Sequence, residues 1–269
     1  MNTIIWIFLK RIKDNPRTIL WYIQLIFYYF RWTDHFLKKY KEISLLSPQD
    51  TLKYIIDNNK SFIRFWDWDV QILLWMTNSW GRSIEKASPN IIKKLNNIFE
   101  NKNVLIGLFP YIITPTDKVL KKQWKYFTYL WYRFFIQRKL KKAFVYWDSN
   151  IFRDENLKSK MLLNYLSGKK VIIITKNNKN IEKLNIWKEI IYIKVPSKNA
   201  FSKYDNIMGK IKTTIINKQL TKSNSIFLVS AWPAAKIIVH DINKLSFVAW
   251  DTWALFDDMY IHKINNEKN

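Results

Sequence analysis

The chain has 269 residues, 48% of them hydrophobic, enough for one large domain or a domain with a helical extension. It contains no cysteine and only His35, His240 and His262. Disulfides and thiolate metal sites are therefore excluded, and a histidine-rich zinc site is not expected. The formal net charge is +24. An AT-rich genome that favours Lys, Ile and Asn codons accounts for part of it. A polyanionic partner (nucleic acid, an anionic membrane surface or phosphorylated substrates) is the sharper alternative. Nucleic acid is the least favoured of these, because no zinc finger or RNP-type aromatic motif accompanies the charge.

Residues 1–45 are apolar and basic, and the apolar run Ile19–Phe30 is flanked by Arg17 and Arg31. That run falls short of the roughly 20 residues that cross a bilayer. The opening has no basic n-region or small-residue cleavage site, so it reads poorly as a signal peptide. Residues 1–50 are expected to form an amphipathic helical extension, either packed on the main domain or lying in a membrane interface. The expected location is the cytoplasm, with peripheral contact to the inner membrane face as the second of these readings.

From residue 60 the pattern alternates between short apolar runs and longer helical periods. Strands are expected at 61–65, 103–108, 143–147, 169–175, 189–195, 225–231 and 245–250. Helices are expected at 88–100, with Ser88 as N-cap and Pro89 at the first position, and at 116–135, 154–167, 199–217 and 233–243. This alternation indicates an α/β domain over residues 51–269, Rossmann-like, with a mostly parallel sheet and helices on both faces.

Turns in such a fold call for glycine, yet the chain has 4 Gly and 14 Trp. Average usage would give roughly 19 glycines. "RFWDWD" (64–69) shows the difficulty. Two carboxylates at i and i+2 can share one hard cation, but the loop carrying them has to bend sharply and admit phosphate oxygens. Glycine suits that task and indole does not. Trp232 makes the turn between a strand and the helix opening at Pro233, where a helix N-terminus offers N–H groups to a phosphate. Trp253 stands where a chain reversal is expected. One explanation covers Trp66, Trp68, Trp232 and Trp253. Some bacterial lineages read the codon UGA as glycine, while other codes read it as tryptophan. Trp75, Trp80 and Trp147 fall under the same suspicion, and Trp187 reads as genuine. The alternative is that the indoles are real and plug the site.

With glycine in mind, four segments resemble the GT-D-fold glycosyltransferases. "SFIRFWDWD" is similar to that family's "RFGDGE", and "VPSKNAFSKYDNI" (195–207) to its NAF-x-x-YD segment. "FLVSAWPAAKIIVHDI" is similar to its GP-x-A segment, and "AWDTWALFDDMY" to its "IDIGH" or "DAG" segment. They occur in family order across residues 55–262. The resemblance implies transfer of a sugar from a nucleotide-sugar donor, commonly a UDP-sugar, by a hexosyltransferase type of enzyme assisted by Mn²⁺ or Mg²⁺. A cell-surface glycan, a glycoprotein or a lipid-linked molecule would be the acceptor. The family's acidic pair corresponds to Asp67 and Asp69, the expected metal ligands; the second is usually Glu. Its terminal His is Ala254 here, so no role for that His carries over.

Arg64 is expected to pair with the diphosphate or to fix an acidic residue. Ser197, Lys198 and Asn199 are expected at phosphate or donor hydroxyls, unless Asn199 only caps the next helix. Trp232, Pro233 and Ala234 would cradle the nucleotide through backbone groups. Asp251 is a candidate general base, with Asp257 and Asp258 as competitors. Tyr204, Asp205 and His240 read as structural. The aromatic stripe from Trp124 to Phe135 reads as core, and the basic run 138–142 as a solvated face or a contact for an anionic acceptor. The competing classes are a non-catalytic basic module for nucleic acid or anionic membrane, and a degenerate transferase with a blocked donor site.

Overall fold

The structure, a computed structural model, describes residues 46–66, 88–108, 147–152, 160–176 and 189–252, together with Ile19, Ile23, Asp69, Ile72 and Leu73. Seven strands run in chain order as β1 (Ser61–Arg64), β2 (Val104–Leu108), β3 (Trp147–Asp148), β4 (Lys170–Thr175), β5 (Glu189–Lys194), β6 (Ser225–Ser230) and β7 (Ala249–Asp251). They form one sheet in the order β3-β2-β1-β7-β6-β4-β5, and every neighbouring pair is parallel. The described helices are α1 (Pro48–Asp57), α2 (Pro89–Ile98), α3 (Lys160–Ser167), α4 (Tyr204–Asn217) and α5 (Pro233–Lys244), with a 3₁₀ turn over Ala200–Lys203.

The central strands are apolar at consecutive positions, as strands covered on both faces must be. Successive side chains divide between two cores because the pleat sends neighbours to opposite faces. Ile63, Phe65, Ile172, Ile174, Phe227, Val229 and Ala249 join residues of α2, α4 and α5 on one face. Phe62, Val171, Ile173, Ile226, Leu228 and Trp250 join residues of α1 and α3 on the other. Gly107 on β2 lies so close to Phe62 that a Cβ there would overlap the ring.

The helix start expected at Ser88 is present: its Oγ accepts from the Ile91 N–H at 3.3 Å, and Pro89 opens α2. Helix α1 has the same device, Ser47 before Pro48. It crosses the expected boundary at residue 50, and Thr51, Leu52 and Ile55 are buried in the domain. The last strand starts later than the sequence pattern implies, because Leu245 and Ser246 close α5 and Ser246 has a positive φ. The long helix expected at 116–135, residues 143–146 and the basic run 138–142 lie outside the described residues, as do residues 1–45 apart from Ile19 and Ile23. Among the described residues no helix is long and apolar enough to cross a membrane.

Candidate functional site

β1, β7 and β6 are neighbours at the centre of the sheet, and their carboxyl ends face the same edge. In open α/β sheets this is the edge where ligands bind. Arg64 ends β1, Asp251 ends β7, and α5 begins three residues after β6. A short chain of ion pairs connects them. Arg64 Nη2 lies 3.4 Å from Asp251 Oδ1. Lys236 Nζ lies 3.0 Å from Asp251 Oδ2 and 3.4 Å from Asp69 Oδ2. All four side chains are buried; Arg64 is 0% exposed and Lys236 5%. Such residues are almost never fully buried unless paired.

Each member is held by local structure. Arg64 also donates to the Ser149 carbonyl at 3.5 Å and lies over the Phe152 ring, 5.8 Å from its centroid. Asp69 closes a helical turn: its Oδ2 accepts from the Trp66 N–H at 2.8 Å, and its own N–H donates to the Trp66 carbonyl at 3.1 Å. This is the carboxylate half of a capping box. Burial pushes the Asp69 carboxyl up to about 6, against the opposing pull of Lys236 and of the Trp66 N–H. Lys236 stands on the first turn of α5, where the Cβ tilt of a helix aims side chains back towards the N-terminus. Asp251 has a cation at each oxygen, so the end of β7 anchors both Arg64 and Lys236.

Asp69 thus meets Asp251 at the start of α5 through Lys236, and Arg64 belongs to the same cluster. Asp67, Trp68 and Trp253 lie outside the described residues, as do Trp75, Trp80, Trp187, Asp257 and Asp258. Ser197, Lys198 and Asn199 are exposed and follow β5, at the far edge of the sheet beyond β6 and β4. Asn199 is in the left-handed region at φ 49 and ψ 45, which Asn tolerates, and its side chain makes no capping bond to the 3₁₀ turn. Pro233 and Ala234 are buried at the first turn of α5.

Trp232 is the N-cap of α5 with φ 53 and ψ −139. That is the mirror image of extended backbone, a region glycine enters freely and other residues do not. An indole has no acceptor for the helix N–H groups. Its carbonyl accepts the Ala235 N–H at 2.9 Å. Trp66, Trp147, Trp232 and Trp250 are the described tryptophans, and among them only Trp232 has a positive φ. At Trp66, therefore, the backbone does not require glycine. Trp147 packs against Tyr54 with centroids 4.3 Å apart, and Trp250 donates Nε1–H to the Lys60 carbonyl at 2.9 Å.

Tyr204, Asp241 and His240 form a second polar group, between α4 and α5. Tyr204 donates its hydroxyl to Asp241 Oδ2, and His240 Nδ1 is 3.1 Å from Asp241 Oδ1. Burial raises the Asp241 carboxyl, but hydrogen bonds from His240 and Tyr204 and the charge of Lys244 outweigh it and hold the group below the usual carboxylate range. The Tyr204–Asp241 bond ties α4 to α5, while the His240 contact lies within α5.

Lys236 is the site residue that the sequence reasoning missed. A signal existed: one lysine in "PAAKIIV", an otherwise apolar helix start. Among the described residues no three His, Asp, Glu or Cys side chains gather as a metal site. The carboxylates of Asp69 and Asp251 nevertheless suit a hard cation. Mg²⁺ commonly takes only one or two protein carboxylates and completes its shell with water and phosphate oxygens. The cation these two carboxylates share in the structure is the Lys236 ammonium.

Fold and site together define a Rossmann-like α/β protein with a buried ionic cluster at the carboxyl edge of a parallel sheet. Comparison with solved structures narrows the fold to that of the domain of unknown function 1792. A selenomethionine form of this domain matches with a TM-score of 0.69 and 22% identity over 86% of this chain and 85% of that one. A second structure, described as having a distinct glycosyltransferase fold, gives 0.68 and 23% over the same shares. A glycosyltransferase of this domain type from Streptococcus sanguinis gives 0.67 and 17% over 83% and 85%. At these identities the likeness is one of fold, and the fold is the glycosyltransferase fold that the four sequence segments imply. No family model matches the sequence, and no curated protein matches it.

Proposed function

We propose that this chain is a glycosyltransferase that moves a sugar from a nucleotide-sugar donor, in the first instance a UDP-sugar, to a glycan, glycoprotein or lipid-linked acceptor. The observation that carries the reading is the cluster of Arg64, Asp69, Lys236 and Asp251. It lies at the ligand-binding edge of a sheet whose fold is shared with glycosyltransferases.

Asp69, with Asp67 beside it in sequence and Asp251 across the cluster, would hold a divalent cation. That ion, Mn²⁺ or Mg²⁺, supplies charge neutralisation at the diphosphate leaving group. Asp251 anchors Arg64 and Lys236, so their positive charge faces the same edge. Proton removal from the acceptor then falls to another carboxylate, for which Asp257 and Asp258 compete. Trp232 caps the helix whose N-terminus would meet the donor phosphates. Its glycine-type backbone supports reading residue 232 as a glycine position, which opens the space an indole fills. Residues 1–45 would bring the enzyme to the inner membrane face, where lipid-linked acceptors lie.

Calorimetric titration with a UDP-sugar, with and without Mn²⁺, tests the reading. Wild type is expected to bind in a Mn²⁺-dependent manner and Asp69→Asn to lose that binding. Salt-sensitive DNA binding without nucleotide-sugar affinity would instead favour the basic binding module.

A further inference from the structure

Lys236 has no place in the sequence motifs, yet it is the hub of the buried cluster. Its ammonium touches both carboxylates, at 3.0 and 3.4 Å. We propose that Lys236 is the resident counter-cation of the Asp69–Asp251 pair, and that its ammonium and a divalent cation are alternative occupants of one position. The inference rests on the metal-assisted reading for the identity of the competing ion.

Three observations carry it. First, among the described residues Lys236 is the cation within ion-pair distance of both Asp69 and Asp251. While it stays there, its charge opposes the approach of a divalent ion to either carboxylate. Second, the two cations differ in freedom. Arg64 is fixed by Asp251, the Ser149 carbonyl and the Phe152 ring. Lys236 contacts the carboxylates through a flexible four-carbon stem. Third, Lys236 lies in the first turn of α5, at the positive end of the helix dipole, where a cation is disfavoured unless anions offset it. Once a divalent ion takes the carboxylates, that offset is gone and the ammonium has to move. An anionic diphosphate at the same sheet edge is the partner it would then meet, since an ammonium is a good point-charge ligand for phosphate. Lys236 is thus a positioning residue: it keeps two buried carboxylates in place before metal arrives and sets how tightly metal binds.

Mn²⁺ binding to purified wild type, Lys236→Met and Lys236→Arg, read from the electron paramagnetic resonance signal of free Mn²⁺ without any donor, tests this. Removing the lysine charge, which otherwise has to be displaced before the ion enters, is expected to tighten Mn²⁺ binding at least about tenfold in Lys236→Met. Lys236→Arg keeps the charge and grips carboxylates with a fork, so it is expected to bind Mn²⁺ more weakly than wild type. Equal or weaker binding by Lys236→Met overturns the proposal. Should that variant not fold, the proposal falls if Lys236→Arg matches or exceeds wild type, or if neither binds Mn²⁺. UDP-sugar titration of the same proteins separates the two claims. Donor binding without a gain in Mn²⁺ affinity sinks the role of Lys236 and leaves the transferase; a gain in Mn²⁺ affinity without donor binding does the reverse.

Discussion

Residue 232 offers a comparison in which the backbone alone decides the outcome. Trp232→Gly and Trp232→Ala both delete the indole and lose the same packing, so their difference isolates φ 53 and ψ −139. A non-glycine residue held in such a region costs about 1–3 kcal/mol. Alanine in place of glycine normally gains about 0.4–1 kcal/mol by restricting the unfolded chain. The net preference at this position is therefore centred on about 1.3 kcal/mol for glycine, with an upper limit of about 2.6 kcal/mol, opposite in sign to the usual order. Each kcal/mol moves the melting midpoint by about 2–4 °C in a chain of this size, so Trp232→Gly is expected to melt roughly 2–8 °C above Trp232→Ala. Differential scanning calorimetry of the two variants reads this directly. An alanine variant as stable as the glycine variant, or more so, would refute the assignment of residue 232 as a glycine position. It would also remove the structural support for UGA being read as glycine there.

Two further outcomes follow from the polar groups. Asp251→Asn replaces the buried carboxylate that faces both Arg64 and Lys236 with a neutral amide, a change expected to cost about 3–5 kcal/mol and measurable by urea denaturation. Asp241 has a folded pKa held below its ordinary value of 3.8. A depressed carboxylate stabilises the fold above the unfolded pKa and loses that contribution as pH falls through the folded value. The stability gap between wild type and Asp241→Asn is thus expected to be full at about pH 7 and to shrink from about pH 4 downward. Asp69, whose raised pKa acts in the opposite direction, is common to both proteins and cancels from the gap. A gap that widened on acidification would contradict the assignment.

The sheet was legible because its strands carry unbroken apolar runs, such as Val171 to Ile174 and Ile226 to Val229, between segments of helical period. The starts of α2 and α5 were legible from Ser88–Pro89 and from Pro233. Helix α1 was not, because residues 48–57 adjoin an apolar, basic stretch and carry no strong boundary beyond Ser47 and Pro48. Arg64, Asp69 and Asp251 were singled out individually in the sequence, and the parallel pairing of β1 with β7 is what brings Arg64 and Asp251 together across 187 positions. Lys236 escaped notice for a physical reason. Attention fell on the backbone of the turn at 232–234, and a lysine one turn into a helix reads as a solvated side chain. Nothing in a linear sequence states that β7 will insert between β1 and β6 and set Asp251 against it.

The cluster is difficult to explain as a device for stability. Taking four charged side chains out of water costs several kcal/mol per ion, and a well-packed apolar replacement of similar volume is often neutral or stabilising. The cores on either face already supply apolar packing, with Phe62, Ile63 and Trp250 at 0% exposure around the same strands. A sheet edge that needed only rigidity would be better served by more of the same. What an apolar edge cannot do is present adjustable positive charge and hard oxygen donors within one cluster. Both are what a metal-assisted departure of a diphosphate demands. The ionic cost at the strand ends is therefore understandable if, as proposed, a divalent ion displaces Lys236 from the two carboxylates.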